Sequence, residues 1–197
     1  MPYELLTSLL LFAFVSSITP GPNNLMLMAS GANYGFKRTI PHLLGVSLGF
    51  VFMALLLGAG LVSLFETFPV TYQILKVVAV IYLFYLAWKI ANATPNIAHS
   101  TGRPFTFLQA ALFQWVNPKV WAMALTTISV YTPERTMTSV LLVAIVFGAI
   151  NLPCVAVWTT LGQQMARFLN RPKQLRLFNR IMALLLVASL YPGIFLN

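Results

Sequence analysis

Long apolar segments follow one another along this sequence, with only short polar stretches between them. A helix needs about 20 apolar residues to cross the hydrocarbon core of a bilayer. Six segments are of about that size or longer, and with short loops they use the whole chain. We therefore predict an all-α membrane protein with six transmembrane helices. The predicted spans cover residues 5–34, 39–65, 70–91, 105–131, 137–161 and 178–195.

The composition supports a surface that faces lipid. Hydrophobic residues make up 59% of the chain and charged residues only 8%, whereas a soluble domain carries about 25% charged residues. The net charge of +9 could suggest a nucleic-acid partner. A nucleic-acid binder, however, clusters its cations on one soluble face, and here they are scattered between apolar runs. We expect no nucleic-acid partner.

Positively charged residues concentrate in alternate predicted loops, those after spans 1, 3 and 5. The three acids lie elsewhere: Glu4 at the N-terminus, and Glu66 and Glu134 in the loops after spans 2 and 4. The one cation in those two loops is Arg135. Cytoplasmic loops of membrane proteins are rich in Lys and Arg. We therefore expect the basic loops in the cytoplasm and both termini outside. The residues of the basic loops are Lys37, Arg38, Lys89, Arg103, Arg167, Arg171, Lys173 and Arg176.

The N-terminal apolar stretch has the length of a signal peptide but not its other features. It carries Glu4 in place of a positive region and has no convincing cleavage site, so we predict that it is retained as span 1. The single cysteine, Cys154, lies in an apolar run and cannot form an intramolecular disulfide. A lone thiol is not a metal site, and the spans lack His and acid clusters. We expect no metal, no cofactor and no enzyme activity.

Span 1 is interrupted by a stretch that disfavours a helix. Two prolines and a glycine remove backbone donors or add flexibility there. The region 5–34 would measure about 45 Å as one helix, more than a bilayer core needs. We predict a broken helix. The residues of the interruption are Thr19, Pro20, Gly21, Pro22, Asn23 and Asn24.

Span 4 contains a second interruption, between Gln114 and Lys119. Asn117 is a favoured helix N-cap and Pro118 suits a first helical position, so a new helical piece is predicted to begin there. Lys119 then lies in its first turn, close to the positive end of the helix dipole. A cation in that place is favourable if an anion is sometimes present.

Each interruption falls in the first span of a predicted three-span half, although the two halves share little sequence beyond Pro and Asn at the break. We predict one transmembrane domain, with halves 1–91 and 105–197 joined by a cytoplasmic linker, 92–104. Three spans in each half give the halves opposite orientations, as in inverted-repeat transporters. The helical pieces after Pro22 and Pro118 would then direct their positive N-termini toward each other.

A zwitterion such as a free amino acid would match the groups that meet at these interruptions. Two helix N-termini and Lys119 form a seat for a carboxylate. The carbonyls exposed before each break, together with side-chain amides, could receive an ammonium group. The candidate substrate-binding residues are Thr19, Pro20, Gly21, Pro22, Asn23, Asn24, Gln114, Asn117, Pro118 and Lys119.

Structural explanations compete with this interpretation. Proline kinks are common in membrane helices, and the asparagines can satisfy backbone groups that a kink frees. Lys119 can also be an anchor at the cytoplasmic interface. The small residues Gly31, Gly45 and Gly49 are typical of close helix packing. A channel-like protein, or a subunit that packs against a partner without transporting, is the alternative function.

Several motifs in order resemble those of the LysE/RhtB family of amino-acid exporters. They are residues 19–23, Gly35, residues 44–49, residues 82–89 and residues 117–119. The resemblance covers nearly the whole chain and is strongest to the branch that exports cysteine and O-acetylserine. It implies a secondary transporter that exports a small amino acid or a derivative across a bacterial inner membrane. The sequence leaves open whether the chain forms a homo-oligomer.

Alternating access is the mechanism that the broken spans suggest, and proton antiport is the usual expectation for such exporters. No carboxylate lies within a predicted span, so a buried acid relay is absent. Lys119, Lys76 or His42 would have to carry a coupled proton. For His42 and Lys76 we expect a place near the membrane interface instead, and His99 lies in a polar loop.

Overall fold

The computed structural model describes residues 1–61, 67–93, 103–134, 136–169 and 171–188, without the side chains of 69, 71, 72, 75, 76 and 79. Over these residues the protein has seven α-helices and no strand, in agreement with the all-α prediction. A π-helical turn, Leu57–Leu61, follows α2, and a short 3-10 turn, Gln114–Val116, joins α4 to α5. The helices are α1 Tyr3–Ile18, α2 Pro22–Leu56, α3 Pro69–Ala91, α4 Phe107–Phe113, α5 Pro118–Tyr131, α6 Met137–Ala166 and α7 Pro172–Ala188.

Helix α2 folds back on itself at Gly35. This residue has a φ of +76°, a conformation that only glycine adopts without strain. Ser30 Oγ and Thr39 Oγ1 lie 3.0 Å apart, whereas nine residues of a straight helix rise about 13.5 Å. We call residues 22–34 the short arm and residues 36–56 the long arm. The reversal thus lies between the predicted spans 5–34 and 39–65.

Both predicted interruptions are present as helix boundaries. Helix α1 ends at Ile18, Thr19 is extended, and α2 begins at Pro22. In the second interruption Asn117 is extended and α5 begins at Pro118. These are the places where proline and glycine make a continuous hydrogen-bond ladder impossible or costly.

Close backbone contacts hold the arms of α2 against α6 and α4. A Cβ added at Gly31 would lie 2.1 Å from Thr159 O on α6, and one at Gly162 would lie 2.0 Å from Met28 O. On the long arm, a Cβ at Gly45 would lie 2.4 Å from Phe107 O of α4. The prediction that small residues serve helix packing is confirmed at Gly31 and Gly45, because no side chain fits there.

Large apolar side chains cover much of the outer surface. Phe52, Phe84 and Trp88 are each more than half exposed, which suits a surface that faces lipid. Two described stretches, Pro22–Leu61 and Met137–Met165, are long and apolar enough to cross a membrane. This test rests on length and composition, and the first stretch contains the reversal at Gly35. The arrangement as six spans in two inverted halves stays a prediction.

Candidate functional site

Lys119 connects the two interruptions. It projects from the first turn of α5, and its Nζ donates hydrogen bonds to Thr19 O at 2.7 Å and to Thr19 Oγ1 at 3.0 Å. A Cβ at Gly21 would lie 2.8 Å from Lys119 Cδ. Glycine at this position therefore leaves room for the lysine chain to lie across the segment between α1 and α2. The half-buried side chain is not a surface anchor directed away from the protein.

A pair of side-chain amides makes a second connection between the interruptions. Asn23 Nδ2 donates to Gln114 Oε1 at 2.8 Å, and Gln114 Nε2 donates back to Asn23 Oδ1 at 3.3 Å. Gln114 is fully buried and also donates to Ala110 O at 2.7 Å. The buried amide is thus satisfied, as buried polar groups generally are.

The carbonyls at the end of α1 are already bound by donors of the chain itself. Asn24 Nδ2 donates to Ser17 O at 3.0 Å and to Thr19 O at 2.7 Å. Trp158 Nε1 donates to Ile18 O at 3.1 Å. Each of these carbonyls thus has at least one donor, and Thr19 O has two, so the end of α1 is a weaker seat for an ammonium group than expected. Lys119 also provides a positive charge at the negative end of the α1 dipole, where a cation is stabilising.

The two helix N-termini at the interruptions differ. At α5, Asn117 Oδ1 accepts a hydrogen bond from Lys119 N at 3.1 Å, so the predicted N-cap is confirmed. At α2, Gly21 is the N-cap residue and no side chain among the described residues caps the helix. The backbone N–H groups of Asn23 and Asn24, in the first turn of α2, are therefore the ones that can stabilise an anion.

A narrow cleft, which we call the central cleft, lies where these groups meet. Its empty space measures about 340 Å³, part of which is open to the surroundings. The other predicted residues, Thr19, Pro20, Pro22 and Pro118, shape the breaks without lining the cleft. Polar lining comes from Ser16, Ser17, Gly21, Asn23, Asn24, Gln114, Asn117, Lys119 and Asn151, and apolar lining from Val46, Phe50, Val120, Met123 and Val155.

The family model of the LysE type translocator matches residues 14–189 of the chain. This protein belongs to that family. The expectation of a membrane transporter rather than an enzyme is thereby confirmed. Among the described residues, no group of three or more His, Cys, Asp or Glu side chains could hold a metal ion.

Two curated bacterial relatives match the translocator over almost their whole length. The "Cysteine/O-acetylserine efflux protein" of Salmonella typhimurium (strain LT2) is 31% identical over 186 residues, which is 93% of this chain and 94% of the relative. The protein of the same description in Escherichia coli (strain K12) is 30% identical over 194 residues, 95% of this chain and 96% of the relative. No solved structure matches the chain.

Asn151 of α6 lines the central cleft of this LysE-type translocator and was not predicted. Asn151 donates to Ser17 Oγ at 3.0 Å and accepts from Ser47 Oγ at 2.9 Å. A lone asparagine inside the apolar span 5 was the available signal, because polar groups at membrane depth are often functional. Trp158, also on α6, donates from Nε1 to Ile18 O and so holds the end of α1.

His42 is enclosed by the protein, and its expected place near the membrane interface stays a prediction. Its side chain is fully buried, and neither ring nitrogen has a hydrogen-bond partner among the described residues. The imidazole packs edge-on against Phe105, with ring centroids 5.2 Å apart. The side chain of Lys76, and His99 as a whole, lie outside the described residues.

Proposed function

We propose that this translocator exports a small amino acid or amino-acid derivative, of the class of cysteine and O-acetylserine, from the cytoplasm across the bacterial inner membrane. Two relatives that carry the description of cysteine/O-acetylserine efflux match it over more than nine tenths of its length. The observation that carries the proposal is the bond of 2.7 Å from Lys119 Nζ to Thr19 O. It brings a cation of one interruption into the other, beside the central cleft.

The carboxylate of the substrate is expected to bind between Lys119 and the N-terminus of α2. An ammonium group has three donors, and two of those of Lys119 are directed at Thr19. The first-turn amides of Asn23 and Asn24 add partial positive charge on the facing side. The N-terminus of α5 contributes less than predicted, because Asn117 already accepts from Lys119 N.

The ammonium group of the substrate is expected to bind side-chain oxygens rather than the carbonyls of α1. Asn23 Oδ1 and Gln114 Oε1 accept only from each other's amides in the described part of the chain. Separation of that pair leaves two amide oxygens directed into the cleft. A substrate ammonium then takes the place of the lost donors, so that no buried acceptor remains unsatisfied.

Alternating access follows from the way these contacts cross the cleft. The Asn23–Gln114 pair and the Lys119–Thr19 bonds join the predicted first half, 1–91, to the second, 105–197. A zwitterion that replaces both contacts allows the two halves to move apart on one side. We propose this rocking motion of two inverted three-span halves, with both termini outside.

Proton antiport is the proposed coupling. Within the described helices the only carboxylate is Glu4, at the start of α1. Lys119 and His42 are the remaining candidates for a coupled proton among the described residues. Of the two, the His42 side chain is more completely shielded from solvent, because it is fully buried and neither ring nitrogen has a hydrogen-bond partner among the described residues.

Accumulation of amino acids in the medium of expressing cells tests the function. Cells with the protein are expected to release more cysteine or O-acetylserine than cells without it, and the Lys119→Met protein should not. Saturable counterflow in vesicles distinguishes a carrier from a channel or a non-transporting subunit. Unchanged release across the amino acids and their derivatives would contradict the proposal.

A further inference from the structure

A second polar cleft lies at the other end of the short arm of α2. Its empty space measures about 270 Å³, part of it open to the surroundings, and its polar lining comes from Ser30, Asn33 and Tyr34 of the short arm, Lys89 of α3, and Arg103. We call it the access cleft. Lys89 and Arg103 belong to the loop predicted to be cytoplasmic, so the access cleft lies at the predicted cytoplasmic end of the molecule.

The charge of the access cleft has no counterpart among the residues that line it. Lys89 Nζ donates to Gln109 Oε1 at 3.2 Å and lies 4.4 Å from the centre of the Phe105 ring, and both of these partners are neutral. No carboxylate lines the cleft. Two cations beside a partly closed cleft favour an anion there, because low-dielectric walls strengthen their field.

The two clefts lie along one face of the short arm. Asn23 lines the central cleft, and Met26, Ser30 and Asn33 line the access cleft. These positions are spaced by three or four residues and therefore share a face. Ten residues separate Asn23 from Asn33, or about 15 Å of helix.

An apolar barrier stands between the clefts. Met26 is fully buried and lies one turn beyond Asn23. It belongs to an apolar cluster that includes Leu86 of α3 and Phe113 of α4, both fully buried. The inner end of the access cleft, at Met26, is thus one turn of helix away from the central cleft, and the unbranched Met26 side chain between them can adopt many rotamers.

We propose that the access cleft binds the carboxylate of an amino-acid-like substrate through Lys89 and Arg103, before the substrate passes Met26 to reach the central cleft. This rests on the proposed function. The access cleft raises the local concentration of substrate at the cytoplasmic end of the transport pathway, and it orients the substrate carboxylate. Loss of its cations should therefore raise the half-saturating concentration of substrate, with a smaller effect on the maximal transport rate.

Uptake of O-acetylserine into inside-out vesicles tests this assignment, because such vesicles expose the cytoplasmic face. Lys89→Gln and Arg103→Gln are expected to raise the half-saturating concentration about three- to ten-fold, with a maximal rate within about two-fold of wild type. Lys37→Gln is the matched control, since Lys37 is an exposed cation at the same predicted side that does not line the cleft. It should leave both constants unchanged.

A thiol placed in the cleft reports occupancy separately from transport. Ala93 lines the access cleft, and Cys154 is the single native cysteine, so Ala93→Cys in a Cys154→Ala background carries one thiol. A membrane-impermeant maleimide should label it in inside-out vesicles, and O-acetylserine should slow the labelling. Protection should be lost when Lys89→Gln and Arg103→Gln are added.

The outcomes separate this proposal from the proposed function. Normal wild-type uptake, with unchanged half-saturation in both glutamine variants, overturns the access cleft alone. Wild-type vesicles that transport neither cysteine nor O-acetylserine overturn both. If the defects of the variants disappear in liposomes of phosphatidylcholine alone, the cations bind anionic lipid phosphate and the proposal is overturned.

Discussion

Replacing Lys119 with methionine removes the charge that links the two interruptions while keeping most of the volume of the side chain. The variant loses the bonds from Nζ to Thr19 O and Thr19 Oγ1. Thr19 O keeps Asn24 Nδ2 as a donor at 2.7 Å, so no buried acceptor is left without a partner. We therefore expect a loss of stability of only about 1 kcal/mol and normal insertion into the membrane.

The effect on transport should be much larger. A charged hydrogen bond to a carboxylate contributes about 1.5–3 kcal/mol when it is shielded from water. Loss of about 3 kcal/mol corresponds to about 100-fold weaker binding. Methionine offers no donor in its place, and the first-turn amides of α2 are then the remaining groups for the anion. We expect export by Lys119→Met to fall to the background of cells without the protein.

The assay compares initial export rates and counterflow with the amount of protein in the membrane. Lys37→Met is the matched control, because it removes a lysine from an exposed position outside the central cleft. Wild-type rates and half-saturation in Lys119→Met would refute the role in substrate binding. Lys119 would then be only a cation that stabilises the end of α1.

Three further experiments test the contacts between the interruptions and the proposed proton coupling. Gly21→Ala places a Cβ 2.8 Å from Lys119 Cδ. Because the lysine side chain can shift, we expect a normal amount of protein in the membrane but about three- to ten-fold slower export. Wild-type export rates would show that the position of Lys119 is unimportant. Asn23→Ala and Gln114→Ala should each weaken counterflow. Because both break the same amide pair, their effects should be non-additive by about 0.5–1.5 kcal/mol in a double-mutant cycle. Full additivity would contradict this coupling. His42→Gln should retain counterflow but lose stimulation by an imposed pH gradient, and a preserved stimulation would exclude His42 as the coupled proton site.

Local signals made the interruptions predictable. Pro22 and Pro118 each begin a helix, and Asn117 caps one, because these preferences depend on the residue itself and its nearest neighbours. The reversal at Gly35 falls in the loop that Lys37 and Arg38 indicated, but the residue at which the chain turns was not predicted, since a glycine can equally serve helix packing, as Gly31 does.

Partners from distant parts of the chain could not be predicted in this way. Asn151 and Trp158 reach α1 because α6 packs beside it, with sequence separations of more than 130 residues. Their role depends on the relative position of two helices, which periodicity does not determine. For the same reason the sequence indicated open carbonyls at the end of α1, although donors from α2, α5 and α6 bind them.

The bound carbonyls change what a substrate must do in the central cleft. An open seat would bind a zwitterion without any movement, whereas here the ammonium of Lys119 already occupies the negative end of α1. A substrate gains little unless it replaces contacts that hold the two interruptions together, and a ligand shifts a conformational equilibrium only by its differential affinity for the two states. The bonds that it replaces are few, and each contributes about 0.5–3 kcal/mol. Binding of one small zwitterion is therefore of the right size to loosen the contact between Asn23 and Gln114, which is the first step of the proposed rocking motion.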